Sequence, residues 1–334
     1  MSFLRLTRTT VVFVVVNLFV IELALGVTVP GMCTGSSVRS LKRDPAGLSA
    51  IVERIRVTSG PSVAFIGDSQ MYGSAVKDEA LTIPGYFSAL VGEDISVYNL
   101  GMKGYGPGEC AYVADLLAGS GVDLVIYNLS LGWLTREEPV VVPDIDHLLQ
   151  TGTASWQAAR TMSPLSKAKL FIRQRWKLLA HRNMIREQLF GMVGLRDPFS
   201  GPEDPELYLP WYDSHFDPGM IPVFGRFKVV PSNLEMLETA VRRMTDAGIT
   251  VFVFTSPQNR ALYEQFAGWD EDGTNSIISL VSLRVMAAGG LFADYTALVS
   301  PDLFSDSIHL LAEGHRQVAE ALFYDIGHLI KKGS

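Results

Sequence analysis

Apolar residues along this chain fall into short unbroken runs separated by amphipathic stretches. That is the pattern of strands covered on both faces and of the helices that cover them. Val63 to Ile66 reads as a first strand, Ile95 to Leu100 as a second and Leu124 to Tyr127 as a third. Ile249 to Phe254, rich in β-branched and aromatic residues without alternation, is a fourth, and the short Leu291 to Ala293 a fifth. Helices are predicted over Ile83 to Val91, with Pro84 in the first turn, and over Cys110 to Ala118. The helix before the fourth strand is expected to open on a capping box of Ser232 and Glu235 and to stop at Asp246-Ala247-Gly248. Leu311 to Ile330 closes the chain as a last helix. Alternating strands and helices predict a parallel sheet of about five strands with helices on both faces.

Ahead of this domain the pattern differs. Val11 to Val29 is a run of about nineteen mostly apolar residues, near the roughly 20 needed to cross a bilayer as a helix, with Arg5 and Arg8 before it and Pro30-Gly31 after it. Residues 1–30 are therefore read as a membrane anchor. A signal peptide cleaved near Ala24-Leu25-Gly26 competes with that reading, and a buried soluble helix is a third. Either of the first two exports the rest of the chain. Residues 31–60 read as a linker leading into a helix, and residues 61–334 as the folded domain. Between about 135 and 227 the alternation breaks down into a largely helical and loop insertion. Its basic residues, from Lys167 to Arg186, interleave with apolar ones as an amphipathic helix with a solvated face, or as a surface for anionic lipid or an acidic polymer. Pro202 to Trp211 looks like a loop that could overhang a site.

Charge narrows the function classes. With 28 Lys+Arg against 35 Asp+Glu, a net charge of -7 argues against a nucleic-acid partner. Two cysteines, Cys33 and Cys110, are too few for a disulfide framework and lack metal-ligand spacing; a bridge between them is left open. Asp144, Asp146 and His147, with Asp213 and His215, carry no recognisable metal signature and read as loop residues. His181, His315 and His328 are expected on helix surfaces. No metal or cofactor is called for.

Chemistry concentrates in two places. Gly67-Asp68-Ser69 follows the first strand, and ligands collect at the carboxyl ends of strands in an open parallel sheet. A serine hydroxyl is a weak nucleophile until a base takes its proton and a third group orients that base. Asp306-Ser307-Ile308-His309, just before the last helix, supplies both types. The turn Asn99 to Gly104 after the second strand and the turn Asn128 to Trp133 after the third belong to the same edge. Glycines 101, 104, 106 and 108 let backbone amides approach a substrate, which is the material of an oxyanion hole.

In these blocks the chain resembles the SGNH (GDSL-type) hydrolase family: Gly67-Asp68-Ser69, the glycine turn ending at Gly104, and Asp306-Ser307-Ile308-His309 match its first, second and last blocks. Stretches around them look like membrane-anchored members that act on the bacterial envelope. The resemblance implies a flavodoxin-like three-layer α/β/α fold, a triad of Ser69, His309 and Asp306, and an oxyanion held by the amides of Ser69 and Gly104. It further implies an exported serine esterase or O-acyltransferase, its domain on the periplasmic or outer side of the membrane, acting on an acylated envelope glycan or lipid. A lipid or thioester hydrolase is an alternative. One block departs from the pattern. Gly132-Trp133 stands where the family has Asn-Asp, so Asn128, Ser130 or Gly132 is left to replace the oxyanion asparagine. A degenerate fold serving as a scaffold or glycan-binding protein follows if none does.

Overall fold

The computed structural model describes residues 38–40, 47–135, 209–212, 228–266 and 268–330. The chain divides into two compact units. The larger comprises Ser36–Lys42, Ala50–Val141 and Pro202–Ser334, and of the smaller only residues 47–49 are among those described. The Val11 to Val29 segment, Cys33, His181, the acidic loop residues and nearly all of the predicted insertion lie outside the described residues. Among those described, no helix is long and apolar enough to cross a membrane.

Six parallel strands build the sheet: β1 (Val38–Ser40), β2 (Ser62–Ile66), β3 (Ser96–Asn99), β4 (Leu124–Leu129), β5 (Thr250–Thr255) and β6 (Leu291–Ala293), in the order β1-β3-β2-β4-β5-β6. The five predicted strands are present. Without β1 their order is the flavodoxin-like one. The sixth corrects the reading of 31–60 as linker and helix alone. β1 spans three residues and is defined only by its pairing with β3, from Val38 opposite Val97 to Ser40 opposite Asn99, so it leaves no periodicity of its own.

Burial follows strand parity. Val63, Phe65, Val97, Leu124, Ile126, Phe252 and Phe254 share one core cluster with Ile83 and Phe87 of α3 (Ile83–Val91) and with Val318, Ala319 and Leu322 of α9 (Ala312–Ile326). Ala64, Ile66, Val125, Tyr127, Val251 and Val253, of opposite parity, are equally buried. The second helical layer holds α4 (Pro107–Leu117) packed on α6 (Pro231–Asp246), which in turn packs on β5 and on α8 (Glu271–Ala287). α1 (Gly47–Val57) ends where the Thr58 hydroxyl meets the Tyr98 phenol at 2.7 Å. Burying about 25 cal/mol per Å2 of apolar surface on both faces explains why the strands read as unbroken apolar runs.

Two local expectations change. α6 starts one residue before the predicted capping box: Pro231 takes a first-turn position, where its missing N–H costs nothing, and Val230 is the cap residue without a side-chain bond. Its stop is as read, with Ala247 as cap and Gly248 at φ 84°. His315 is 1% exposed rather than on the surface, because it lies on the face of α9 that carries Val318, Ala319 and Leu322 inward. His328 is exposed as expected, and Cys110 is a buried free thiol.

Candidate active site

The chain runs from β2 to β3 on one side of β2 and then crosses to β4 on the other. That reversal leaves a crevice at the carboxyl ends of β2 and β4, where parallel sheets place ligands. Gly67 sits in it with φ 150°, and a Cβ there would lie 2.9 Å from the Asn128 Cβ and 3.0 Å from the Asn128 carbonyl oxygen on β4. Only glycine turns the chain this sharply against its neighbour. Asp68 then caps the short helix α2 (Ser69–Tyr72), its Oδ1 accepting from the Gln70 amide at 3.0 Å. Ser69 is the first helical residue and is partly exposed.

Asp306 and His309 arrive from a loop just before α9. The Ser69 Oγ and the His309 Nε2 are 2.8 Å apart, and the His309 Nδ1 and the Asp306 Oδ2 are 2.5 Å apart. The other oxygen of Asp306 accepts from the amides of Ile308 at 2.8 Å and His309 at 2.7 Å, so the loop folds about its own carboxylate. Thus Ser69, His309 and Asp306, some 240 residues apart between serine and histidine, form one hydrogen-bonded chain.

Electrostatics suit that chain. Burial, the largest single influence on Asp306, pushes its carboxyl upward; the His309 ring and the two loop amides outweigh it and hold the group below its usual range. Burial likewise presses His309 downward, but the bond and charge of Asp306, helped by the charge of Asp68, raise the imidazole above its ordinary value. Lys103 acts on it in the opposite sense. Exposed, and next to Gly104, Lys103 lies over the Tyr72 ring at 5.2 Å. Asp68 is 3% exposed, and its carboxyl is raised chiefly by burial.

The turn after β3 runs beside the nucleophile. Met102 donates its amide to the Gly67 carbonyl at 3.1 Å, and Gly104 takes φ 78°. Asn99 holds this turn to α2: its Oδ1 accepts from the Gly101 amide at 3.0 Å, while its Nδ2 donates to the Met71 carbonyl at 2.8 Å and to Glu79 Oε1 at 2.9 Å. Among the described residues, neither the Ser69 nor the Gly104 amide has an acceptor. Both are available to a ligand.

The departure in the third block has a structural counterpart. β4 continues two residues beyond the predicted Tyr127, so Asn128 lies inside the sheet, 2% exposed, its Nδ2 donating to the Ser256 Oγ at 2.8 Å. Ser130 is buried, and its carbonyl accepts from the Trp133 amide at 3.1 Å. The Gly132 carbonyl accepts from the Thr135 hydroxyl at 3.1 Å, in α5 (Leu131–Thr135). Trp133 turns its indole N–H to the Asp68 Oδ2 at 3.3 Å. The Asn128 side-chain nitrogen and the Trp133 indole N–H thus both donate within the protein, whereas Ser130 and Gly132 are engaged through their carbonyls.

Three contributors escaped sequence reasoning. Asn259, fully buried, donates its Nδ2 to the Asp306 carbonyl at 3.1 Å and its amide to the Ser307 carbonyl at 3.0 Å. Gln70 and Asn99 are the others. A signal for Asn259 was present: Ser256-Pro257-Gln258-Asn259 is a polar cluster at the carboxyl end of a buried strand, the edge already assigned to chemistry. From the predicted overhanging loop, Trp211 donates its amide to the Phe304 carbonyl at 2.9 Å and its indole to the Pro301 carbonyl at 3.1 Å, just ahead of the Asp306 loop. No metal-ligating cluster of His, Cys, Asp or Glu occurs among the described residues.

No protein-family model and no curated protein matches the chain. Solved structures with a similar chain path include a carbohydrate acetylesterase from Sinorhizobium meliloti, 14% identical over 81% of this chain and 100% of that one, with a TM-score of 0.40. An inhibitor-bound aryl esterase from M. smegmatis is 14% identical over 81% and 100% of the two chains, with a TM-score of 0.42. A catalytic mutant of an acetylxylan esterase from Geobacillus stearothermophilus is 13% identical over 83% and 100%, with a TM-score of 0.43. Such distant likenesses leave function to be read from the site.

Proposed function

We propose that this protein is a serine esterase or O-acyltransferase of the SGNH type, exported and tethered by its Val11 to Val29 segment, acting on an acylated cell-envelope glycan or lipid. The observation that carries the catalytic part is the continuous chain from the Ser69 Oγ through His309 to Asp306, at 2.8 Å and 2.5 Å. His309 takes the Ser69 proton as Oγ attacks the acyl carbonyl. Asp306 holds the tautomer that leaves Nε2 free to accept. Negative charge forming on the carbonyl oxygen falls to the amides of Ser69 and Gly104. Collapse of the tetrahedral intermediate breaks the ester C–O bond, and His309 protonates the departing alcohol. The acyl group on Ser69 then passes to water, or to a sugar hydroxyl, which His309 deprotonates in turn. The serine supplies its own covalent intermediate, so the reaction calls for no cofactor.

Labelling of the full chain with a fluorophosphonate tests the reading. Wild type should label, Ser69→Ala should not, and His309→Ala should label far more slowly. A folded wild-type protein that resists the reagent would return the chain to the scaffold or glycan-binding alternative. Acetylated sugars, compared with model esters of increasing acyl length, then separate a glycan esterase from a lipid or thioester hydrolase.

A further inference from the structure

Gln70, the residue after the candidate nucleophile, is 1% exposed and belongs to no step of the proposed reaction. Both hydrogens of its amide are used. Nε2 donates to the Pro257 carbonyl at 3.0 Å, in the turn that follows β5, and to the Ile308 carbonyl at 2.5 Å, one residue before His309. Its Oε1 is buried without a partner among the described residues. An apolar side chain of the same length would fill the space without that unmatched acceptor, so the amide serves the two carbonyls rather than the core.

The loop that carries His309 is shaped from within. Asp306 Oδ1 accepts the amides of Ile308 and His309, Asp306 Oδ2 meets the ring, and the His309 carbonyl accepts from the Ser305 amide at 2.8 Å. These bonds fix the ring relative to Asp306 but not relative to α2. Bonds from outside the loop locate it, two side chains among them. Asn259 ties its Asp306-Ser307 end to the turn after β5, and Gln70 ties Ile308 to α2 while holding the same turn at Pro257. Ser69 and Gln70 are adjacent in α2 and Ile308 and His309 adjacent in the loop, so the Gln70–Ile308 bond runs alongside the Ser69–His309 bond. We infer that Gln70 is a positioning residue which sets the distance between the Ser69 hydroxyl and the His309 imidazole. This rests on the esterase reading given above.

The test uses the full chain in detergent with Gln70→Met, which keeps length and shape, and Gln70→Glu, which keeps length and polarity but offers no N–H. Displacing a catalytic group by about 1 Å can cost about 100-fold. Both variants should therefore lose about 10- to 100-fold in kcat for 4-nitrophenyl acetate and in fluorophosphonate labelling rate, with KM within about twofold, as expected when only transition-state geometry is lost. In Gln70→Met, removal of the unmatched Oε1 offsets part of the cost of unpairing the two carbonyls, and the melting temperature should fall by a few degrees. Activity within about threefold of wild type in either folded variant overturns the inference. So does a loss that merely tracks the folded fraction. A second readout needs no turnover: the 15N shift of the His309 Nε2, which senses the Ser69 hydroxyl, should move in Gln70→Met toward its value in Ser69→Ala. An inert wild type would defeat the esterase reading alone, and this shift would still decide the role of Gln70, an unmoved resonance counting against it. Should Gln70→Met not fold, Gln70→Glu carries the same comparison.

Discussion

Replacing Gly67 by alanine perturbs the one residue that lets β2 turn into the nucleophile against β4. The backbone at φ 150° is outside the range of L residues, and holding alanine there costs about 1–3 kcal/mol. Sterics add to this. The new Cβ would sit 2.9 Å from the Asn128 Cβ, 3.0 Å from the Asn128 carbonyl oxygen and 3.0 Å from the Met71 Cγ. Methionine can swing aside, but the Asn128 backbone is part of β4, whose pairing with β5 matches Asn128 to Phe254. Overpacking of this kind typically costs about 1–3 kcal/mol more. A loss of about 2–6 kcal/mol is expected, roughly 4–24 °C in melting temperature at about 2–4 °C per kcal/mol. Gly248→Ala serves as the reference: φ is 84° and nothing lies within 4 Å of an added Cβ, so it reports the backbone cost alone, about 1–2 kcal/mol. Urea unfolding followed by tryptophan fluorescence measures both, and fluorophosphonate labelling of the folded fraction reports the position of Ser69. A Gly67→Ala protein no less stable than Gly248→Ala, labelling at the wild-type rate, would refute the reasoning.

Esterase activity requires neutral His309, so it should rise with pH through the raised value of that group. Asp306→Asn removes the bond and charge that raise it and should move the acid limb to lower pH while cutting kcat by about 1,000- to 10,000-fold; Lys103→Met removes an opposing charge and should move the limb upward. A pH–rate profile checks both, and an Asp306→Asn limb that stays or rises counts against the assignment. Stability carries the matching signs. The contribution of His309 is present below its unfolded value and lost as pH rises through the folded one, whereas that of Asp306 is present above its unfolded value and lost as pH falls through the folded one. Asn128→Ala should cost about 1–3 kcal/mol by opening space beneath Gly67 and unpairing the Ser256 hydroxyl, with kcat within about 10-fold of wild type. A fall of about 100- to 1,000-fold at constant KM would instead place its amide at the oxyanion.

Strand runs such as Val63 to Ile66 and, within Ile249 to Phe254, Val251 to Phe254 betray themselves because a strand covered on both faces must be apolar at every buried position. From those runs follow the alternation, the parallel sheet and the edge at which Ser69 and the glycine turn meet, all local consequences of patterning. The Asp306 loop was legible for the same reason: its carboxylate folds back onto amides two and three residues on. Other features depend on contacts that no local pattern encodes. β1 exists only as the partner of β3, and the inward face of His315 is set by how α9 docks on α3. Whether Asn128 points to the site or into the sheet turns on two extra residues of pairing with β5. Gln70 has its acceptors 187 and 238 residues away. A side chain whose role lies in bonds of that span is unreadable until the sheet brings both ends together, because hydrogen bonding is specified by geometry in space and hydrophobic patterning by order along the chain.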